Sequence, residues 1–488
     1  MTDQSQLRKN DIAELDITGM GAGGEGIGRY NGFALFVKDA LPGDRVRAVI
    51  TKVNKGYGFA KTTEIIVPSP DRISPPCNEA LRCGGCQMMQ LKYEKQLELK
   101  TEKVRNDLER IGDFKDICME PVMGMDEACP LHFRNKVQFP VGRSHDGRVI
   151  TGFYAARTHY IIENEGCPAA PDETAGILSV LRGFAEKNGI SVYDEKTGTG
   201  LLRHVLIRRG EQTGQIMVCI VINGNSLGKG LDDKLSAELL AAEPAVRSIC
   251  LNVNKEKTNV ILGRKTVSLY GNGYIEDRIG GLTFRISAQS FFQVNGKQTE
   301  KLYSKVLKYA ELTGTETVWD LYCGTGTISL FLAQKARRVF GAEIVPEAVE
   351  DAKANAALNG ISNTQFFCGR SEEIFPYMCK SHPADVVVLD PPRKGCDGAL
   401  LDAILAAGPP RIVYVSCNSA TLARDLKILS KKYELVKAAP CDMFPHTVHV
   451  ETVVLMSIKD RKPDTHINVS LDMDDYHRII GDEAEPEA

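Results

Sequence analysis

From residue 287 onward, short apolar runs alternate with stretches of helical periodicity, and no other feature restricts the fold of this chain as strongly. Strands that alternate with helices pair side by side into a parallel sheet covered by helices. The runs occupy 317–321, 339–343, 385–389 and 412–415, and a last run at 450–456 reads as a buried closing strand. In such sheets ligands bind beyond the carboxyl ends of the strands, so chemistry is expected in the residues that follow each run.

Four of these positions carry it. After the first run stands Asp320-Leu-Tyr322-Cys-Gly324-Thr-Gly326-Thr327. Its glycines let the backbone approach a ligand closely, and Ser329 occupies the place where a dinucleotide fingerprint wants a third glycine. A pyrophosphate-binding dehydrogenase is thereby disfavoured. Glu343 closes the second run, where an acid can bind ribose hydroxyls. The third run ends in Asp390-Pro391-Pro392-Arg393, whose prolines fix an extended turn and hold the carboxylate at the strand tip. The fourth ends in Ser416-Cys417-Asn418, a thiol at the rim of the same cleft.

Upstream, residues 8–67 read as a small β-barrel: alternating apolar positions, the Asn31-Gly32 hairpin signal, and glycines at the bends. Prolines 68, 70, 75 and 76 break the chain, and a helical stretch follows at 93–111. Residues 68–285 form a strand-rich central region with hairpin strands near 137–139, 149–154, 201–208 and 215–222. Residues 286–458 form the α/β domain, and 459–488 an acidic tail.

Between the barrel and the helix lies Cys77-x5-Cys83-Gly-Gly-Cys86, with Cys167-Pro168 about eighty residues later. Three close cysteines and a distant Cys-Pro can wrap a four-thiolate site, for an iron–sulfur cluster or for zinc. The nine remaining cysteines, Cys417 apart, read as packing residues. No apolar run reaches membrane-spanning length and the first residues lack an apolar signal core, so a cytoplasmic protein is expected.

The net charge of −3 argues against a nucleic-acid partner only on average. Residues 471–488 hold seven acids against Arg478 alone; without that net −6 the rest of the chain stands at about +3. Residues 131–160 concentrate Arg134, Lys136, Arg143, Arg148 and Arg157 against Asp146, the composition of a local phosphate-binding face.

Taken in order, Phe291-Phe-Gln293-Val-Asn295, Asp320 to Thr327, Asp390-Pro-Pro-Arg393, Ser416-Cys417-Asn418 and Asp442-Met-Phe-Pro-His-Thr-Val-His449-Val-Glu451 resemble the RNA (uracil-5-)-methyltransferase family. The barrel resembles the TRAM domain of its ribosomal RNA branch. The resemblance implies a class I, Rossmann-like α/β methyltransferase domain behind an OB-like barrel and a strand-rich central domain. It implies methylation of uridine C5 in RNA with S-adenosylmethionine, in 23S ribosomal RNA. Transfer RNA as substrate, or a catalytically inactive RNA-binding assembly factor, are the alternatives.

By the same resemblance Cys417 is the nucleophile and Glu451 the general base, while Gln293, Tyr322, Glu343 and Asp390 contact S-adenosylmethionine. Cys77, Cys83, Cys86 and Cys167 would hold a [4Fe-4S] cluster. The assignments suit the chemistry. Uridine C5 is a poor nucleophile until a thiolate adds to C6, and a base must later remove the C5 proton. Phe291 and Phe292 are candidates for stacking on RNA bases or for core packing. Pro440-Cys441 has the dipeptide of cytosine-5 enzymes outside its usual context. A monomer that binds RNA and no membrane is expected.

Overall fold

The computed structural model describes residues 7–459, Arg157 excepted. The acidic segment from 460 onward therefore lies outside the described residues. Strands β1 (Ile12–Met20), β2 (Gly26–Tyr30), β3 (Phe33–Lys38), β4 (Arg45–Val53) and β5 (Tyr57–Val67) close into a barrel in the order β1-β2-β3-β5-β4. Alternation builds it: Ala13, Leu15 and Ile17 face the barrel core, and so do Leu35 and Val37. Asn31 and Gly32 turn the β2–β3 hairpin at φ of 48° and 83°, the left-handed pair a tight hairpin needs.

Helix α1 (Tyr93–Arg110) leads to a seven-stranded sheet. Its members are β6 (Lys136–Arg143), β7 (Val149–Tyr154), β8 (Ile161–Glu163), β9 (Leu202–Arg209), β10 (Ile216–Ile222), β11 (Val246–Val253) and β12 (Lys265–Tyr270). Helices α2 (Thr174–Lys187) and α3 (Leu231–Ala242) cover one face, where Ile216, Val218 and Ile220 point. Met217 and Cys219, on the opposite face, join the core of the next domain. The strand-rich reading of this region overlooked both helices; α3 is the crossover that lets β10 and β11 pair in parallel.

A hairpin of β13 (Tyr274–Ile279) and β14 (Leu282–Ser287) and helix α4 (Gly296–Ala310) open the α/β domain. The units β15 (Thr317–Leu321), α5 (Thr327–Ala333), β16 (Arg338–Glu343), α6 (Pro346–Leu358), β17 (Thr364–Cys368), α7 (Ser371–Met378), β18 (Val386–Leu389), α8 (Gly398–Ala407), β19 (Arg411–Ser416) and α9 (Ser419–Leu429) then alternate. Strands β20 (Tyr433–Cys441) and β21 (Glu451–Ile458) finish a sheet ordered β17-β16-β15-β18-β19-β21-β20. The first five of these pair in parallel and β21 runs antiparallel to β19. Its amino end consequently meets the carboxyl ends of the parallel strands. Helices pack on both faces, with Val386 and Val388 in one core and Val387 and Leu389 in the other. Among the described residues no helix is long and apolar enough to cross a membrane.

Candidate active site

At the carboxyl edge of the parallel strands lies a cavity of about 930 Å³, within the range that holds small-molecule ligands. Gln293, Tyr322, Glu343, Asp390, Cys417 and Glu451 all line it. The sheet explains the gathering. Leu321 pairs with Ala342 and with Leu389, so Tyr322, Glu343 and Asp390 are the next residues of three adjacent strands. Ser416 pairs with Thr452, so one further step sets Cys417 opposite Glu451.

The turn after β15 is strained where it meets the cavity. Tyr322 has a φ of 72°, which a residue with a Cβ adopts only under constraint. Gly324 follows at 54° with open space where a side chain would stand. Its N–H donates to Glu343 Oε2 at 3.1 Å, and Val345 N–H donates to Glu343 Oε1 at 2.9 Å. The Glu343 carboxylate is thus fixed while each oxygen keeps a lone pair. Ile344 and Val345 beside it are 59% and 46% exposed, an apolar shelf suited to a flat heterocycle. Gln293 is buried and its carbonyl accepts from Asn135 Nδ2 at 2.8 Å, which ties its loop to the central sheet.

Charge is disfavoured here because the side chains are buried. Burial, and then the Asp390 carboxylate, push Glu451 up to about 8, while Arg393 pulls it down. Burial, and then Asp320, push Asp390 up to about 7. Asp320 itself rises to about 7 through burial although Ser329 Oγ donates to it, and its other oxygen has no partner among the described residues. Cys417 is pushed up to about 11, by burial first and then by Glu451 and Asp390, with Arg393 opposing.

A second cavity, of about 600 Å³, opens on the other side of Cys417 and runs between the barrel, α1 and His449. Cys417, Arg393 and His449 line both cavities. The nucleophile candidate therefore stands where the two spaces meet.

A third cavity of about 350 Å³ is lined by Cys77, Cys83, Cys86 and Cys167, together with Arg134 and Lys136. Burial, then Cys167 and Cys83, push the Cys86 thiol up to about 12. Among the described residues no group of three or more His, Cys, Asp or Glu side chains is gathered tightly enough to hold one metal ion. The sulfurs surround a space rather than meet at a point. The basic stretch is likewise divided: Arg134 and Lys136 turn to this cavity, and Arg148 pairs with Asp146 and Glu163.

The family description tRNA (Uracil-5-)-methyltransferase matches residues 226–459, and the TRAM domain matches residues 6–63. An uncharacterized RNA methyltransferase of Halalkalibacterium halodurans is 47% identical over 459 residues, which are 94% of this chain and 99% of that one. The chain belongs to the RNA uracil-5-methyltransferase family. A second uncharacterized RNA methyltransferase, from Clostridium acetobutylicum, is 48% identical over 461 residues, 93% of this chain and 99% of that one. Among solved structures, the tRNA (uracil-54, C5)-methyltransferase of Pyrococcus abyssi in complex with S-adenosyl-L-homocysteine aligns with a TM-score of 0.73 at 27% identity. It covers 91% of this chain and 100% of that one. The fold is that of S-adenosylmethionine-dependent methyltransferases behind a TRAM barrel.

Several parts of this methyltransferase site were not assigned from sequence. Arg393 was visible in its motif without a role, and it borders both cavities. A polar face of α1 fastens the 442–449 loop that precedes Glu451. Lys100 Nζ pairs with Asp442 Oδ1 and donates to the Phe444 carbonyl at 2.9 Å, and Tyr93 donates to Asp442 Oδ2 at 2.8 Å. Gln96 Oε1 accepts from His446 N–H at 2.9 Å, and its Nε2 stands 3.3 Å from His446 Nδ1.

The structure decides several readings that the sequence left open and overturns one. His446, in the same motif as Glu451, is buried, its Nε2 stands 2.8 Å from the Pro130 carbonyl, and it does not line the first cavity. Cys441 is buried on β20 opposite Glu451 and lines neither cavity, which removes the cytosine-5 geometry. Cys118, Cys129 and Cys368 are exposed rather than packed. Phe292 is core, whereas Phe291 is 69% exposed at the cavity rim.

Proposed function

We propose that this chain methylates C5 of a uridine in 23S ribosomal RNA through a covalent bond between Cys417 Sγ and C6 of the base. The placement of Cys417 opposite Glu451, in the cavity that Gln293, Tyr322, Glu343 and Asp390 also line, carries the reading. When bound, S-adenosylmethionine supplies a methyl group on a sulfonium, an electrophile for C5. Glu343 fits its ribose hydroxyls, and Ile344 and Val345 suit a flat base.

Each remaining step belongs to a residue of the chain. Cys417 gives its proton to solvent water, with Arg393 favouring the anion, and the thiolate electron pair forms the S–C6 bond as the C5=C6 pair moves toward C5. After C5 has taken the methyl, Glu451 accepts the C5 proton. The C–H pair restores C5=C6 and expels the Cys417 thiolate. A carboxylate raised to about 8 is a stronger base than an ordinary glutamate, which suits removal of a carbon-bound proton. The uridine reaches C6 contact only if extruded from its stack, and the second cavity is the path open to it.

Cys77, Cys83, Cys86 and Cys167 would hold a [4Fe-4S] cluster. A space bounded by four thiols suits a multi-atom cluster, and methyl transfer needs no electron, so its role is structural or RNA-positioning. By resemblance alone, the four thiols and the TRAM barrel favour ribosomal RNA. Transfer RNA is the second reading, favoured by the full-length likeness to the Pyrococcus tRNA enzyme.

RNA containing 5-fluorouridine tests the mechanism, because fluorine cannot leave as a proton does. The expected result is a covalent protein–RNA adduct in the wild type and none in Cys417→Ala. An adduct that survives that substitution overturns the assignment. Deleting the gene and mapping lost 5-methyluridine across total RNA decides between the two RNA classes.

A further inference from the structure

Asp425 is a buried carboxylate that the chemistry at Cys417 does not use. It lies on α9 without exposure to solvent, and it belongs to none of the motifs at the strand ends. Its Oδ2 accepts from the Cys396 N–H at 2.8 Å and from the Tyr414 hydroxyl at 2.7 Å. Its Oδ1 accepts from Arg424 Nε and Nη2 at 2.8 and 2.7 Å. A carboxylate in the interior needs such partners, and here they belong to a turn, a strand and a helix that surround Cys417.

The turn is 391–396, closed by the Gly395 N–H, which donates to the Pro392 carbonyl at 2.8 Å. Three side chains of α9 hold it. Thr421 Oγ1 donates to the Arg393 carbonyl at 3.2 Å, Arg424 Nη2 donates to the Lys394 carbonyl at 2.8 Å, and Asp425 receives the Cys396 N–H. Gly395 stands at a φ of 79°, and a Cβ there would lie 2.5 Å from both Asp425 Oδ2 and Arg424 Nη2. Glycine thus lets the turn close tightly onto the helix. The strand is β19, which carries Tyr414 and which Cys417 follows.

Arg393 is the residue that this clamp presents. Its side chain is exposed, and it lines both cavities with Cys417 and His449. Its cation favours the Cys417 thiolate, against burial and against the Glu451 and Asp390 carboxylates. Across the second cavity the thiol meets His449 and, from α1, Lys100, Glu102, Lys103, Asp107 and Arg110. An arginine stem is long and flexible, so its reach to a fixed sulfur depends on where its backbone is held. We propose that Asp425, with Arg424 and Thr421, is a positioning group for the methylation, clamping the 391–396 turn so that Arg393 meets Cys417. The three line neither cavity and act through Arg393. The proposal rests on the reading of Cys417 as the nucleophile and names the residues that prepare it.

The test reads the thiol of the full chain directly. Alkylation of Cys417 by iodoacetamide is followed across pH by mass spectrometry of its peptide. In Asp425→Asn the amide cannot accept on both sides, so the turn loosens and Arg393 loses its hold on the sulfur. Alkylation at pH 8 should slow roughly 3- to 10-fold as the thiolate fraction falls, and the pH profile should move toward alkali. The covalent adduct with 5-fluorouridine RNA should form more slowly by a similar factor. In an Arg393→Gln background Asp425→Asn should change neither rate further, whereas a merely structural role would lower both again. Arg424→Met, at the half-exposed arm of the clamp, should act in the same direction, which keeps the test open if Asp425→Asn does not fold. Circular dichroism checks the fold of each variant. Wild-type alkylation in both clamp variants, or an equal loss with and without Arg393, would overturn the proposal. A wild type alkylated at Cys417 that forms no adduct with 5-fluorouridine RNA counts against the uridine methylase reading and leaves the clamp standing.

Discussion

Cys417 and Glu451 face each other across the β19–β21 ladder, one residue beyond the Ser416–Thr452 pair. In the proposed mechanism, two strands running in opposite directions would thus deliver the nucleophile from one carboxyl end and the base from one amino end. The pair is held by backbone register and not by a flexible loop, which suits two groups that act in succession on adjacent carbons of one ring.

Glu451→Gln should therefore separate the steps. Glutamine keeps the shape but cannot accept the proton, so addition and methyl transfer proceed and elimination stalls. A denaturation-resistant adduct between Cys417 and ordinary RNA should accumulate, already methylated. Loss of a general base slows a step by roughly 100- to 10,000-fold, so the adduct should persist for minutes to hours on a denaturing gel. Normal turnover, or an adduct without the methyl, would remove Glu451 from this role. His449, which lines both cavities, would then be the next group to test.

The raised Glu451 carboxyl also sets two pH dependences. Product release needs the carboxylate, so its rate should climb with pH and level off above about 8. Asp390 is the second cause of that rise, after burial, so Asp390→Asn should move the profile toward acid. Stability runs the other way. Below the ordinary value of 4.5 the group is neutral whether folded or unfolded, and the folded state keeps its full stability. Between 4.5 and about 8 the unfolded chain releases a proton that the folded chain retains, so stability falls as pH rises. Glu451→Gln should melt higher than wild type at pH 8, and the difference should vanish near pH 4, as thermal unfolding across pH would show.

How far the sequence discloses this site depends on distance along the chain. Cys417 and Asp390 are legible because each ends an apolar run, and Glu451 because a carboxylate interrupts one. Helix α2 was missed although Ile177, Leu178, Leu181 and Phe184 carry helical spacing, because the strands around it dominated the pattern. Lys100 and Asp442 are 342 residues apart, and no periodicity links them. Arg393 is plain in its motif, yet its role follows only from where two cavities meet.

Glu343 offers a test confined to the methyl donor. Its carboxylate is fixed by two backbone N–H groups, and the remaining lone pairs face the cavity. Glu343→Ala should weaken S-adenosylmethionine binding by about 1.5–3 kcal/mol, or roughly 10- to 150-fold, as charge-assisted hydrogen bonds are lost. Calorimetric titration should show this while the affinity for RNA stays unchanged.

The four thiols predict a colour. Protein purified without oxygen should be brown and contain iron and acid-labile sulfide. Stoichiometric zinc without sulfide would replace the cluster with an ion. Cys86→Ser should impair folding or RNA affinity more than donor binding, because this cavity and the one proposed for the donor are separate spaces.

The buried Lys100–Asp442 pair yields the sharpest stability prediction. Both side chains are at most 1% exposed, and burial disfavours the Lys100 charge while Asp442 opposes that effect only in part. Lys100→Met leaves Asp442 with the Tyr93 hydroxyl but no cation, which should cost about 3–5 kcal/mol. Adding Asp442→Asn removes the stranded charge, so the double variant should be more stable than Lys100→Met alone. Denaturant unfolding of the four proteins in the cycle gives the coupling directly. The pair anchors the loop that leads into Glu451, so Lys100→Met should also slow release of methylated RNA more than it weakens donor binding. Equal stability of the single and double variants would mean that the carboxylate is satisfied without the lysine, and the α1 face would then be packing rather than an anchor.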